Sequence, residues 1–173
     1  KIDLRCNDQI QDMIEDRLDL VIRVGRAKDS SFIAVPFAKV NMVLCASPDY
    51  LINHGQPKTI LDLHNHNFIM FDKYDKYIFS QANDQSEINI KGSLTVNSVD
   101  TMIQTVAQGV GISALPDLLI QQRLASGELV QIMPQYHVDL KDLAVEQAYA
   151  MYSSRNQIPA KVRAFLELYK ARF

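Results

Sequence analysis

From Ile2 to Cys6 apolar and polar side chains alternate, the two-residue period of a half-buried strand. Asn7-Asp8 can then cap a helix running to about Arg17, with Ile10, Met13 and Ile14 on one face. Leu18–Gly25, "LDLVIRVG", is a nearly continuous apolar run, as in a strand covered on both faces. These three predict β–α–β, and a crossover of that kind implies parallel pairing. Beyond the polar loop "RAKDSSF", the runs "FIAVPF" and "VNMVLCAS" predict two further strands. Ser47–Gly55 reads as a short helix: Ser47 caps it, Pro48 sits where a missing N–H costs nothing, and Gly55 stops it. A helical turn follows around Leu61–Leu63.

From Asn67 the pattern changes. "FIMF" reads as a strand, "DKYDKYIFSQANDQSE" is mostly polar, and "INIKGSLTVN" returns to a strand, with Gly92 a candidate bulge or turn. The strand ending at Val96 breaks at Asn97-Ser98. A helix follows with Val99, Met102, Ile103, Val106, Ala107 and Val110 on one face, closed by a left-handed Gly109. Ile112–Leu115 is a short strand ended by Pro116. Asp117 can cap a helix through Leu124, and Gly127 ends it. "ELVQIM" and "EQAYAMYS" are strands. Pro159–Tyr169 is a closing amphipathic helix with Val162, Phe165, Leu166 and Tyr169 inward.

Alternating β and α signals predict α/β layers with mainly parallel strands. The change near Asn67 and the lone closing helix divide the chain into two lobes, residues 1–67 with 157–173 and residues 68–156. Such an arrangement makes a cleft.

Composition narrows the classes. A hydrophobic fraction of 47% and a charged fraction of 22% are those of an ordinary globular protein. The net charge of −2 leaves no basic footprint for nucleic acid. No apolar run approaches the ~20 residues that span a bilayer and no signal peptide opens the chain, so the expected compartment is the cytoplasm. The chain opens directly in a strand pattern, which reads as a piece of a longer protein. Cys6 and Cys45, each in an apolar stretch, read as two buried thiols ahead of a disulfide. No Gly-rich phosphate loop precedes a helix, and there is no G-x-S-x-G or Cys/His pair in a recognisable context. His64 and His66 have H-x-H spacing, but no cysteine or carboxylate cluster supports a metal, and the segment reads as a surface connector. His54 and His137 stand alone in the sequence. No cofactor or metal is expected.

The Asn97-Ser98 elbow is the main candidate for a site. A strand that turns into a helix there aims backbone N–H groups outward from its carboxyl end, where open α/β sheets bind ligands. Asp100 in the first turn suits the helix dipole but disfavours a strongly charged anion close by. An ordinary capped helix is the competing explanation.

"LTVNSVDTMIQTVAQGVGISALPDLLIQQRLASGELVQIMP" resembles the second lobe of the effector-binding domain of LysR-type transcriptional regulators. The match lies in N-S, then A-x-G-x-G-I-x-x-L-P, then L-A-x-G-x-L-V. Three more stretches follow the family in order: "LDLVIRVG" with "DSSFIAVPF", "VLCASPDYLINHGQPKTILDLHNHNFI", and "YAMYSSRNQIPAKVRAFLEL". The resemblance implies two Rossmann-like lobes of periplasmic-binding-protein-like (type 2) architecture, with a small, anionic effector in the cleft between them. It implies no enzyme activity, self-association through these domains, and DNA contact only through an N-terminal helix-turn-helix absent from this chain. The chain is expected to start at the second strand of the family's domain. The resemblance brings the end of the Arg23 strand to the cleft, as an anion contact or a structural ion pair. Asn7 ends the first strand in the corresponding place, as a contact or a helix cap. Phe71 reads as pocket wall or core, and Ser113 as cleft-facing or within the sheet. With Asn97 and Ser98 these make the expected effector site. The competing classes are a periplasmic solute-binding protein, which shares the two-lobe plan, and an enzyme on the same scaffold.

Overall fold

The computed structural model describes residues 2–6, 13, 15–25, 32–72, 74–143, 145, 147–153 and 158–170. In chain order the strands are β1 (Val21–Val24), β2 (Phe32–Lys39), β3 (Met42–Ala46), β4 (Ile69–Phe71), β5 (Lys76–Gln81), β6 (Asp84–Asn89), β7 (Leu94–Val96), β8 (Ser113–Pro116), β9 (Val130–Gln131), β10 (His137–Leu140) and β11 (Gln147–Ser153). The helices are α1 (Pro48–His54), α2 (Val99–Ala107), α3 (Asp117–Ser126) and α4 (Ala160–Lys170), with a 3-10 turn at Leu61–Asn65. The chain forms two compact units, Lys1–Asp8 with Val40–Val145, and Gln9–Lys39 with Glu146–Phe173.

In the first unit β3 lies between β8 and β9, antiparallel to both, with Met42 opposite Pro116 and Cys45 opposite both Ser113 and Gln131. β4 and β7 run parallel, Ile69 opposite Leu94 and Phe71 opposite Val96. The two sheets meet where Phe68 bridges Ile112: Ile69 N–H donates to the Ile112 carbonyl at 2.9 Å and Ile112 N–H to the Asn67 carbonyl at 2.9 Å. Cys45, Ile69 and Leu115 from these strands, with Leu129 just before β9, pack with Met102, Ile103 and Val106 of α2 and Ile120 of α3, all buried. That core follows from the 3.6-residue spacing of apolar positions on α2. Val110, expected on the same face, lies past the helix end and is 44% exposed.

β5, β6 and β10 form a third, antiparallel sheet. The sequence offered only a polar stretch here. Inward Tyr77, Phe79, Ile88 and Ile90 are all buried, and the turn between them is two residues, Ala82-Asn83. Ala82 takes φ 51°, a position hairpins usually give to glycine, so the turn carried no ordinary signal.

In the second unit β11 lies between β1 and β2, antiparallel to both, with an irregularity at Ala148/Tyr149. α4 buries Val162 and stacks Tyr169 on Phe37, ring centroids 3.6 Å apart.

Four expectations need correction. Among the described residues only β4–β7 and the Phe68–Ile112 bridge are parallel, because the short connections and the return of β11 beside β2 make the other pairs antiparallel. Ile2–Cys6 forms no strand and Cys6 is exposed, so only Cys45 is a buried thiol. Among the described residues β1 is an edge strand, with Val21 and Arg23 half-buried and Ile22 and Val24 46% and 43% exposed. Pro116, not Asp117, is the N-cap residue of α3. The Asp117 carboxylate instead accepts from its neighbour Leu118 N–H (2.7 Å) and from the Asn41 N–H and side-chain amide (3.0 and 2.8 Å). Of the helix expected from Asn7, residues 7–12 and 14 lie outside the described residues. Leu18 N–H bonds the Met13 carbonyl at 2.9 Å with Arg17 at φ 53°.

Candidate functional site

The parallel pair β4–β7 brings two strand ends to one place. β4 ends in Phe71 and β7 in Val96, and Asp72 N–H donates back to the Val96 carbonyl at 2.7 Å. Asp72 sits at φ 49°, a left-handed conformation uncommon outside glycine, and Tyr74 N–H closes the turn onto the Phe71 carbonyl at 3.1 Å. That turn sets the Tyr74 ring parallel to Phe71, centroids 6.4 Å apart and planes within 5°.

Beside it the chain leaves Val96 through exposed Asn97 into half-buried Ser98. Ser98 has an extended backbone (φ −126°, ψ 126°), and its hydroxyl accepts from Thr101 N–H at 3.4 Å, a long capping bond. Its carbonyl accepts Met102 N–H at 3.0 Å. The structure therefore places Phe71, half-buried and packed against the core of this unit, beside Asn97 and Ser98 at the carboxyl edge of two parallel strands, next to a helix N-terminus. Such an edge suits a planar or acidic small molecule.

Ser113 does not join them. It is fully buried, at the other end of β4, where its hydroxyl donates to the Ile69 carbonyl at 2.8 Å. Tyr77 Oη lies 3.2 Å from the Ser113 hydroxyl and accepts from Ala114 N–H at 3.4 Å. Burial pushes the Tyr77 pKa up, so it stays a neutral donor at any ordinary pH. The four groups form a relay, Ala114 N–H to Tyr77 to Ser113 to the Ile69 carbonyl, that ties β5 to β8 and β4. Ser113 is a positioning residue for β4.

Arg23 belongs to the second unit, in β1 opposite Tyr149. It is half-buried, and among the described residues it has no ion-pair partner. Asn7 lies outside the described residues.

Sequence reasoning passed over the residues that hold β4 at its amino end. Asn67 Oδ1 accepts Ser93 N–H (2.8 Å), and its amide donates to the Ser93 hydroxyl (3.0 Å) and the Val110 carbonyl (2.8 Å). Its own N–H donates to Tyr50 Oη at 2.9 Å. Every one of these bonds lies within the first unit. His66, expected on a surface connector, is buried against Tyr50. The aromatic-to-polar order Tyr50…His66-Asn67 carries no local signal, because the contact spans α1 and the 3-10 turn. No group of three or more metal-ligating side chains occurs among the described residues.

The whole chain, residues 1–173, matches the LysR substrate binding domain family. It belongs to that family. The LysR domain is 27% identical to the HTH-type transcriptional regulator YhjC of Escherichia coli, over 96% of this chain and 56% of the relative. It is also 27% identical to the HTH-type transcriptional regulator PtxR of Pseudomonas aeruginosa, over 96% of this chain and 53% of the relative. Among solved structures, the full-length Vibrio cholerae virulence activator AphB superposes with a TM-score of 0.79 at 25% identity, covering 98% of this chain and 57% of AphB. CrgA of Neisseria meningitidis reaches a TM-score of 0.80 at 23% identity, over 92% of this chain and 54% of CrgA, a likeness of fold. The chain spans about half the length of the curated relatives it matches. These relatives are transcriptional regulators, not enzymes. The chain is a mixed α/β effector-binding regulatory domain of the LysR type.

Proposed function

We propose that this domain senses a small organic anion, with the acid group at the Ser98 turn and the rest of the molecule against Phe71 and Asn97. The observation that carries the reading is the convergence of Phe71, Asn97 and the capped N-terminus of α2 at the carboxyl edge of β4–β7. The helix N-terminus supplies oriented N–H groups, and Arg23 of the second unit, with no ion-pair partner among the described residues, is a further candidate anion contact as a two-pronged cation. Effector binding favours one arrangement of the two expected lobes and so changes how subunits pack, contributing only its differential affinity for the two states. The whole protein would act in the cytoplasm as a self-associating regulator whose DNA contact lies outside this chain. No helix among the described residues is long and apolar enough to cross a membrane.

A thermal-shift screen of small carboxylates on this chain identifies a ligand, and calorimetry then compares variants checked for folding by circular dichroism. Arg23→Ala weakens binding by ~1.5–3 kcal/mol, the range for a hydrogen bond to a charged group. Ser98→Ala costs less, part of it as lost capping. Unchanged affinity in both folded variants would place the pocket elsewhere and leave the elbow a helix cap.

A further inference from the structure

We propose that His66 is a proton sensor whose uncharged imidazole holds the amino end of β4 closed and whose protonation loosens it. The geometry assigns the hydrogens. Asn67 N–H donates to Tyr50 Oη at 2.9 Å, which leaves the Tyr50 O–H to donate to His66 Nδ1, 3.3 Å away. We assign the neutral ring's proton to Nε2 on that ground, because the buried Tyr50 hydroxyl hydrogen has no other acceptor among the described residues. Among the described residues the Tyr50 oxygen has only these two partners. When His66 takes a second proton, Nδ1 becomes a donor facing a donor. Tyr50, 1% exposed, must then turn its hydroxyl hydrogen toward no acceptor or give up Asn67.

The charges around the ring act in the same direction. His54 of α1 stacks on Tyr50 at 4.2 Å and donates from Nδ1 to the Tyr50 carbonyl at 3.0 Å, so a second imidazole shares the cluster. Lys91 and His64 line, with His66, Phe68 and Asn89, a cavity of about 140 Å³. Asp62 is the one nearby carboxylate among the described residues that favours the charged ring. Its oxygen already accepts Lys58 N–H (2.9 Å) and Thr59 N–H (2.8 Å). Burial first, and His54 second, hold the His66 pKa below the ordinary histidine value, against the weaker pull of Asp62. The cavity supplies what a sensor needs and a sealed core histidine lacks, a path for a proton and room for water beside the charged ring.

What His66 guards is a junction. Asn67 ties α1, the Ser93 segment and the Val110–Ile112 segment to the start of β4, and the backbones there are in close approach. A Cβ on Gly111 would lie 2.4 Å from the Asn67 carbonyl oxygen. A corner packed that closely does not stretch to absorb a misplaced hydrogen bond. β4 runs from this corner to Phe71, so loosening it reaches the proposed effector edge. That last step rests on the site proposed above, while the tests here read His66 and Asn67 directly.

The sign is set by the lowered pKa: the unfolded chain takes the proton first, so stability is complete above about pH 6.5 and falls as pH drops toward the folded value. The test is a histidine NMR titration of the 173-residue chain, with thermal melts of wild type, His66→Gln and His64→Gln from about pH 7.5 to about pH 5. The His66 ring should titrate below an ordinary histidine. The Asn67 amide should lose exchange protection, relative to its intrinsic rate, over the same interval. His66→Gln should flatten the acid fall in melting temperature, and His64→Gln, on an exposed neighbour that only lines the same cavity, should flatten it less. An equal slope in His66→Gln, an Asn67 amide indifferent to the titration, or a His66 that titrates at or above the ordinary value would each overturn the proposal. If His66→Gln does not fold, the two wild-type NMR readings decide it alone.

Discussion

Gly92 occupies a place where no side chain fits: a Cβ there would stand 1.7 Å from the Phe68 carbonyl oxygen and 2.7 Å from its carbon. Both are backbone atoms, so Gly92→Ala must move the start of β4 or the segment before β7. The expected loss is on the order of 2 kcal/mol or more, in the range of overpacked sites, read as a lower urea midpoint. Gly109 fails differently. It sits at φ 77°, and an added Cβ would come 3.2 Å from the Ser47 hydroxyl. Gly109→Val should cost about 1 kcal/mol or more, mostly as backbone strain, and an unchanged midpoint would remove that account. The thiols give a third residue-scale test. Cys45 is fully buried and burial pushes its pKa up to about 12, whereas Cys6 is exposed. In native buffer a thiol reagent should label one cysteine per chain, the second reacting only on unfolding. The left-handed Gly109 was legible in "AQGVG", because glycine after a helical period is a stop signal. Gly92 was legible only as a break, since its close neighbour is twenty-four residues away.

At the scale of elements, α2 and the individual strands β4 and β7 are set by local pattern, but the β5–β6–β10 sheet is held by a contact made far along the chain. Tyr77 reaches Ser113 and Ala114 with its hydroxyl while its ring meets Phe68 edge-on at 5.6 Å. Tyr77→Phe keeps the ring and deletes the relay. It should destabilise the chain by about 1–2 kcal/mol, the cost of leaving buried polar partners short of a bond. Amide exchange should quicken first at Ala114. Equal stability would show that the ring packing alone fastens β5. Strand existence was readable for β2, β3, β4, β7 and β11 from apolar runs. Pairing direction was not, because it depends on where the chain travels between strands, and here most partners are met on the return.

For the whole molecule, the exposed apolar side chains of β1 and β2 carry the clearest prediction. Ile22, Val24 and Ile33 are 46%, 43% and 39% exposed on a three-stranded sheet whose outer strand, β1, leaves an edge open among the described residues. Open edges and contiguous apolar surface recruit partners. Sedimentation at high micromolar concentration should therefore show self-association that Ile22→Lys with Val24→Lys reduces. A wild-type chain that stays monomeric would contradict it. The same scale decides DNA. With a net charge of −2, this chain should show no sequence-specific binding to duplex DNA at moderate salt, read by anisotropy.

The sequence by itself determined the family and the local elements. Ordered blocks from "LDLVIRVG" to "YAMYSSRNQ", a Ser47-Pro48 helix start, a Ser98 cap and a Gly109 stop each act within a few residues, and helix caps and hydrophobic periods are local physics. Three of the expected effector residues, Phe71, Asn97 and Ser98, are adjacent in space because two parallel strands end together. Only the tertiary structure decided that Ser113 turns inward to Tyr77 and that His66 is no surface connector. Burial and hydrogen-bond partners are long-range properties. Tyr50 and His66 meet across sixteen positions and Tyr77 and Ser113 across thirty-six, and no spacing rule in a single sequence encodes such a contact.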